Sequence, residues 1–87
     1  MDFLQTLRAH VGGLIRLKSQ LFWYDGRGFD DSPGRICLLL DAGHADAAGA
    51  AATRAAATEP AAPAALLLID DRPQWIWVAK ADVELIT

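Results

Sequence analysis

Between Ala42 and Ala64 the chain carries no leucine, isoleucine, valine, methionine or aromatic residue. More than a quarter of an 87-residue protein therefore has no large apolar side chain with which to dock. Roughly 65 residues remain to supply a core, close to the lower limit for unaided folding. That leaves room for one domain and excludes a deep substrate cavity of several hundred cubic ångströms. Alanine favours helix, so part of Ala45 to Ala57 is expected to be helical. Gly49 weakens that helix, and Pro60 and Pro63 end it. The tract at 42–64 reads as a long exposed insertion, tolerated because closure entropy grows slowly with loop length.

The flanking segments carry the apolar pattern. Leu14 to Ser19 alternates, with Ile15 and Leu17 on one side and Arg16 and Lys18 on the other, as in a half-buried strand. Arg35 to Leu40 is apolar on both faces: Ile36, Leu38 and Leu40 share one, Cys37 and Leu39 the other. Leu66–Ile69 and Trp75–Val78 flank the polar Asp70-Asp71-Arg72-Pro73-Gln74, a hairpin pattern. Val83 to Ile86 closes the chain as a further strand. At the start, Phe3, Leu4 and Leu7 form one stripe of a short helix over Asp2 to His10, ended by Gly12 and Gly13. Such a helix is too short to stand alone and needs a surface.

Charge narrows the partners. The net charge is −3. Up to Arg35, basic Arg8, Arg16, Lys18, Arg27 and Arg35 stand against Asp2, Asp25, Asp30 and Asp31; beyond it, acids predominate. An acidic chain opposes non-specific nucleic-acid binding, which needs several phosphate-facing cations. Cys37 is the only cysteine, so no internal disulfide forms. Met1-Asp2 lacks the basic flank and apolar core of a signal peptide, and no apolar run reaches bilayer length.

No constellation of reaction chemistry stands out, and the chain is expected to be neither an enzyme nor a cofactor or metal binder. His10 and His44 lack companions at ligand spacing. Asp30-Asp31 and Asp70-Asp71 are sequence neighbours on an extended chain, better suited to turns than to an acid–base dyad. Asp25-Gly26-Arg27-Gly28 is too short for a phosphate loop. Cys37 lies in an apolar strand, where a thiol behaves as a small hydrophobe.

The aromatic residues are the strongest signal. Trp75 and Trp77 share one face of a strand, and Ile76 and Val78 share the other. Only one face can fill the interior; the expectation is Ile76 and Val78. The tryptophan face then awaits the N-terminal helix, through Phe3, Leu4 and Leu7, or another protein chain. Trp23, Tyr24 and Phe29 pose the same question. Tryptophan and tyrosine are enriched at protein interfaces, so Trp75, Trp77, Trp23, Tyr24 and Phe29 are the candidate partner-binding residues.

The order of these pieces resembles a known family. Gly13-Leu14-Ile15-Arg16-Leu17-Lys18 opens a strand, and Trp23-Tyr24-Asp25-Gly26 follows. Pro33-Gly34-Arg35-Ile36 starts the next strand; Trp75-Ile76-Trp77-Val78 and Asp82-Val83-Glu84-Leu85-Ile86 close the chain. Over Gly13 to Leu40 and Leu66 to Ile86 this is similar to the small SH3-like barrels of tailed bacteriophages. The resemblance implies a mostly β fold: a five-stranded antiparallel SH3-like barrel at 13–87, a short N-terminal helix or arm at 1–12, and the Ala-rich insertion at 42–64. It implies a structural or adaptor role in a virion, as capsid decoration or tail component, with other protein subunits as partners. Virion or bacterial host cytoplasm is the expected location. The Ala-Leu-Tyr-Asp-Tyr-like run of peptide-binding SH3 domains is missing, so proline-rich ligands are not implied. The alternative is a nucleic-acid or ribosome-associated module of KOW type, using Arg16, Lys18, Arg27 and Arg35.

Overall fold

A computed structural model of the chain describes residues 2–18, 34–44, 50–59 and 61–86. The order is α1 (Phe3–Ala9), β1 (Leu14–Leu17), β2 (Ile36–Gly43), β3 (Ala51–Ala52), a 3₁₀ turn at Ala56–Thr58, β4 (Ala64–Ile69), β5 (Arg72–Trp77), a second 3₁₀ turn at Lys80–Asp82, and β6 (Val83–Ile86). Among the described residues the fold is mostly β with one short helix, as the sequence pattern implies. Six strands form one sheet in the order β3-β5-β4-β2-β1-β6. Five were expected, all antiparallel. The sixth is β3, which pairs parallel to β5, and the described sheet ends at β3 and β6 rather than closing on itself.

Helix α1 begins where Asp2 Oδ1 accepts the Gln5 amide at 2.8 Å, an N-cap that satisfies one of the orphan donors of the first turn. It ends as Gly12, at φ +90°, turns the chain toward β1. Gly13 is needed for space: the His10 ring lies against it, and a Cβ there would fall 2.9 Å from Nε2. The same Nε2 sits 2.8 Å from the Leu14 carbonyl, so His10 joins helix to strand instead of standing free in solvent.

Leu7 is fully buried, and Phe3 and Leu4 pack beside it against a core that includes Ile15, Leu39, Leu67, Ile76 and Val78. Ile76 and Val78 thus fill the interior, as expected. The helix covers this inner face and not the Trp75/Trp77 face. One short apolar stripe can dock once, and the inner rows of β1, β2 and β4 offer the larger aliphatic surface.

The β4–β5 hairpin is tighter than its five polar residues suggest. Ile69 pairs directly with Arg72, leaving Asp70 and Asp71 as the two turn residues, at φ 52° and 64°. Two left-handed residues in succession match the right-handed twist of the strands. Pro73 lies within β5, beyond the two residues that pair with β3, where no second strand among the described residues demands its missing N–H.

The described parts of the Ala-rich tract do not lie outside the fold. Ala42 and Gly43 end β2, Ala51 and Ala52 pair with β5, and Ala64 begins β4. Ala50, Ala51, Thr53, Ala56 and Ala62 are buried. The expectation considered only large side chains. Small ones let backbone approach backbone, and the half-buried Trp77 supplies the missing bulk over Ala56, Ala62 and Ala79.

Asp82 holds this packing in place. It is fully buried, and its Oδ2 accepts from the Thr53 hydroxyl and, at 2.6 Å, from the Ala79 amide. Thr53 Oγ1 in turn accepts the Ala56 amide at 3.1 Å, and the Thr53 amide donates to the Trp77 carbonyl at 3.0 Å. Removing one partner of a buried hydrogen bond leaves the other desolvated and unpaired. Thr53→Val should therefore cost about 1–3 kcal/mol in denaturant unfolding, and Asp82→Ala should cost no less. A Thr53→Val melt unchanged from the parent would show that the tract is only loosely attached. At the hairpin, Asp71→Gly relieves a left-handed conformation that costs a side-chain-bearing residue roughly 1–2 kcal/mol. Net of glycine's greater unfolded-state freedom, stabilisation of about 0.5–1 kcal/mol is expected by the same assay.

Candidate interaction surface

Opposite the helix, the sheet presents a second face. The registers align Pro73, Leu68, Leu38, Leu14 and Ile86 in one row across β5, β4, β2, β1 and β6. One row toward the Ala-rich tract, Trp75 pairs with Leu66, which pairs with Asp41 across the β2 bulge. On the other side, Ile36 pairs with Arg16 and Arg16 with Glu84. Alternation sets all of these side chains away from the core.

Burial across the band is uneven. Leu38, Leu66, Leu68, Trp75 and Ile86 are half-buried. Leu14 and Ile36 remain 45% and 52% exposed. The band is flanked by charge: Arg16 and Glu84 form a cross-strand ion pair at 3.3 Å, and Asp41 is exposed. Apolar side chains side by side with a charged margin make a surface suited to another protein.

The predicted partner-binding residues divide three ways. Trp75 belongs to this band. Trp77 shares its face but lies at the far end of β5, where it packs on Ala56, Ala62 and Ala79; much of its area serves the chain itself. Trp23, Tyr24 and Phe29 lie outside the described residues. The expectation missed Leu14, Leu38, Leu66 and Leu68. Their signal was the unbroken apolar run of β2 and β4, which shows that both faces are apolar but not that one is left open.

Of the basic set of the nucleic-acid alternative, the two described arginines are each paired with an acid. Arg16 engages Glu84 on the outer face. Arg35 engages Asp70 at 3.3 Å, by the hairpin turn. Lys18 follows β1 and is exposed, and Arg27 lies outside the described residues. Cys37 is buried, and burial pushes its thiol up from the usual range, Arg35 opposing the shift and Asp70 adding to it. A buried thiol that holds its proton is a poor nucleophile.

Among the described residues, no group of three or more His, Cys, Asp or Glu could hold a metal ion, and no helix is long and apolar enough to cross a membrane. The two tryptophans should separate by assay. Trp77→Ala opens a cavity over the alanine cluster and should destabilise the free protein by about 3 kcal/mol or more. Trp75→Ala, on the open band, should cost less than half as much in the same denaturant titration. Comparisons with protein-family models, with curated proteins and with solved structures find no match.

Proposed function

We propose that this protein is a non-enzymatic structural adaptor that seats the outer face of its sheet on neighbouring protein subunits, as a component of a bacteriophage virion. The observation that carries this reading is the outward apolar band, with Leu14 and Ile36 near half exposure and Leu38, Leu66, Leu68 and Trp75 half-buried on the same face. A protein partner would remove that surface from water, at roughly 25 cal/mol per Å² of apolar area. The virion setting and the SH3-like affiliation rest on the resemblance of Gly13 to Leu40 and Leu66 to Ile86 to small phage barrels. A protein partner is favoured over nucleic acid because Arg16 and Arg35 are engaged with acids and the net charge is −3.

The test is a Leu14→Lys, Ile36→Lys double variant. Both positions face solvent, so the free protein should melt within about 0.5 kcal/mol of the parent. Its co-sedimentation with assembled particles should weaken by about 2 kcal/mol or more. Particles that take up the variant as well as the parent would remove the outer face from consideration.

A further inference from the structure

The two ends of the sheet differ. At one end β3 is two residues long. At the other, β6 runs Val83–Ile86. The direction of its backbone groups follows from the ladder. The Leu17 amide donates to the Arg35 carbonyl at 2.7 Å, toward β2, while the Lys18 amide donates to the Asp82 carbonyl at 2.6 Å, toward β6. With Arg16 opposite Glu84 and Leu14 opposite Ile86, alternation turns Glu84 and Ile86 toward β1. Val83 and Leu85 therefore direct their N–H and C=O groups away from the sheet, and among the described residues no strand pairs with them.

A groove of about 490 Å³ adjoins this edge, between α1 and β6. Phe3, Val83 and Leu85 give it an apolar floor, and Thr6, Lys18, Lys80 and Glu84 line the remainder. Of the three charged groups, Glu84 is held by Arg16 at 3.3 Å. Lys18 and Lys80 are exposed and set the sign of the field.

We propose that β6 accepts an extended acidic peptide segment of another protein as a seventh strand, its backbone bonded to Val83 and Leu85 and its carboxylates set against Lys18 and Lys80. An open edge supplies main-chain hydrogen bonds, and the neighbouring groove takes alternate side chains. Charge complementarity selects the occupant: the lysines attract acids. A second copy paired about the middle of β6 would set Glu84 against its own counterpart, which is unfavourable. This surface is the sheet's edge and is distinct from the outer face proposed for docking on subunits.

Amide hydrogen exchange on the full chain tests the edge directly. In the free protein Leu85 should exchange faster than Glu84 and Ile86. A short synthetic peptide of alternating glutamate and valine should bind in the micromolar range and slow exchange at Val83 and Leu85. The same peptide with N-methylated valines should lose about tenfold or more in affinity, since it cannot complete the ladder. The Lys18→Glu, Lys80→Glu variant should lose a similar factor for the unmethylated peptide. Slow Leu85 exchange in the free monomer would show the edge already occupied and overturn the proposal. So would a concentration-dependent dimer protecting the same amides, equal binding of the methylated peptide, or no binding at millimolar peptide.

Discussion

A single buried carboxylate organises the half of the molecule that lacks large side chains. Asp82 ties the Thr53 hydroxyl to the Ala79 amide through one oxygen, and its carbonyl receives the Lys18 amide. Three segments distant in sequence meet there: the end of β1, the Ala-rich tract and the turn before β6. Burying a carboxylate is costly unless it is hydrogen-bonded; Oδ2 is satisfied by Thr53 and Ala79, while the buried Oδ1 has no partner among the described residues. The alanine packing beneath Trp77 supplies little hydrophobic energy per residue. Direction comes from the hydrogen bonds and bulk from the tryptophan.

The legible part of the fold was the part with strong periodicity. Ile15 and Leu17 alternate with Arg16 and Lys18, and period two in a half-buried strand has one physical reading; Trp75–Val78 is apolar on both faces, so its pattern alone leaves the inner pair open. The stripe of Phe3, Leu4 and Leu7 was legible for the same kind of reason. The Ala-rich tract was not. Its docking depends on Thr53 meeting Asp82 across 29 positions, and no local pattern announces a long-range hydrogen bond. Strand order was hidden too: β3 is two alanines beside β5, with no β-propensity to mark it.

The candidate surface was half legible, and the missing half has a single cause. Trp75 was picked out because tryptophan is conspicuous; Leu14, Leu38, Leu66 and Leu68 were not, since aliphatics in strands are ordinarily interior. The face they line became visible only once the one short helix was assigned to the other side. Among the described residues a single helix covers one face of the six-stranded sheet.

The parallel pairing of β3 with β5 has a temporal consequence. In chain order β3 precedes β4, yet its neighbour in the sheet is β5. It cannot dock until the β4–β5 hairpin has presented that edge, and the hairpin, closed by two residues, is the most local strand pairing among the described residues. We expect the Ala-rich tract to join late and, with its shallow burial, to leave early, opening as a subglobal unit while the larger core of β1, β2 and β4 stays closed. Its hydrogen-bonded latch at Asp82 would then govern a local equilibrium more than the lifetime of the whole native state.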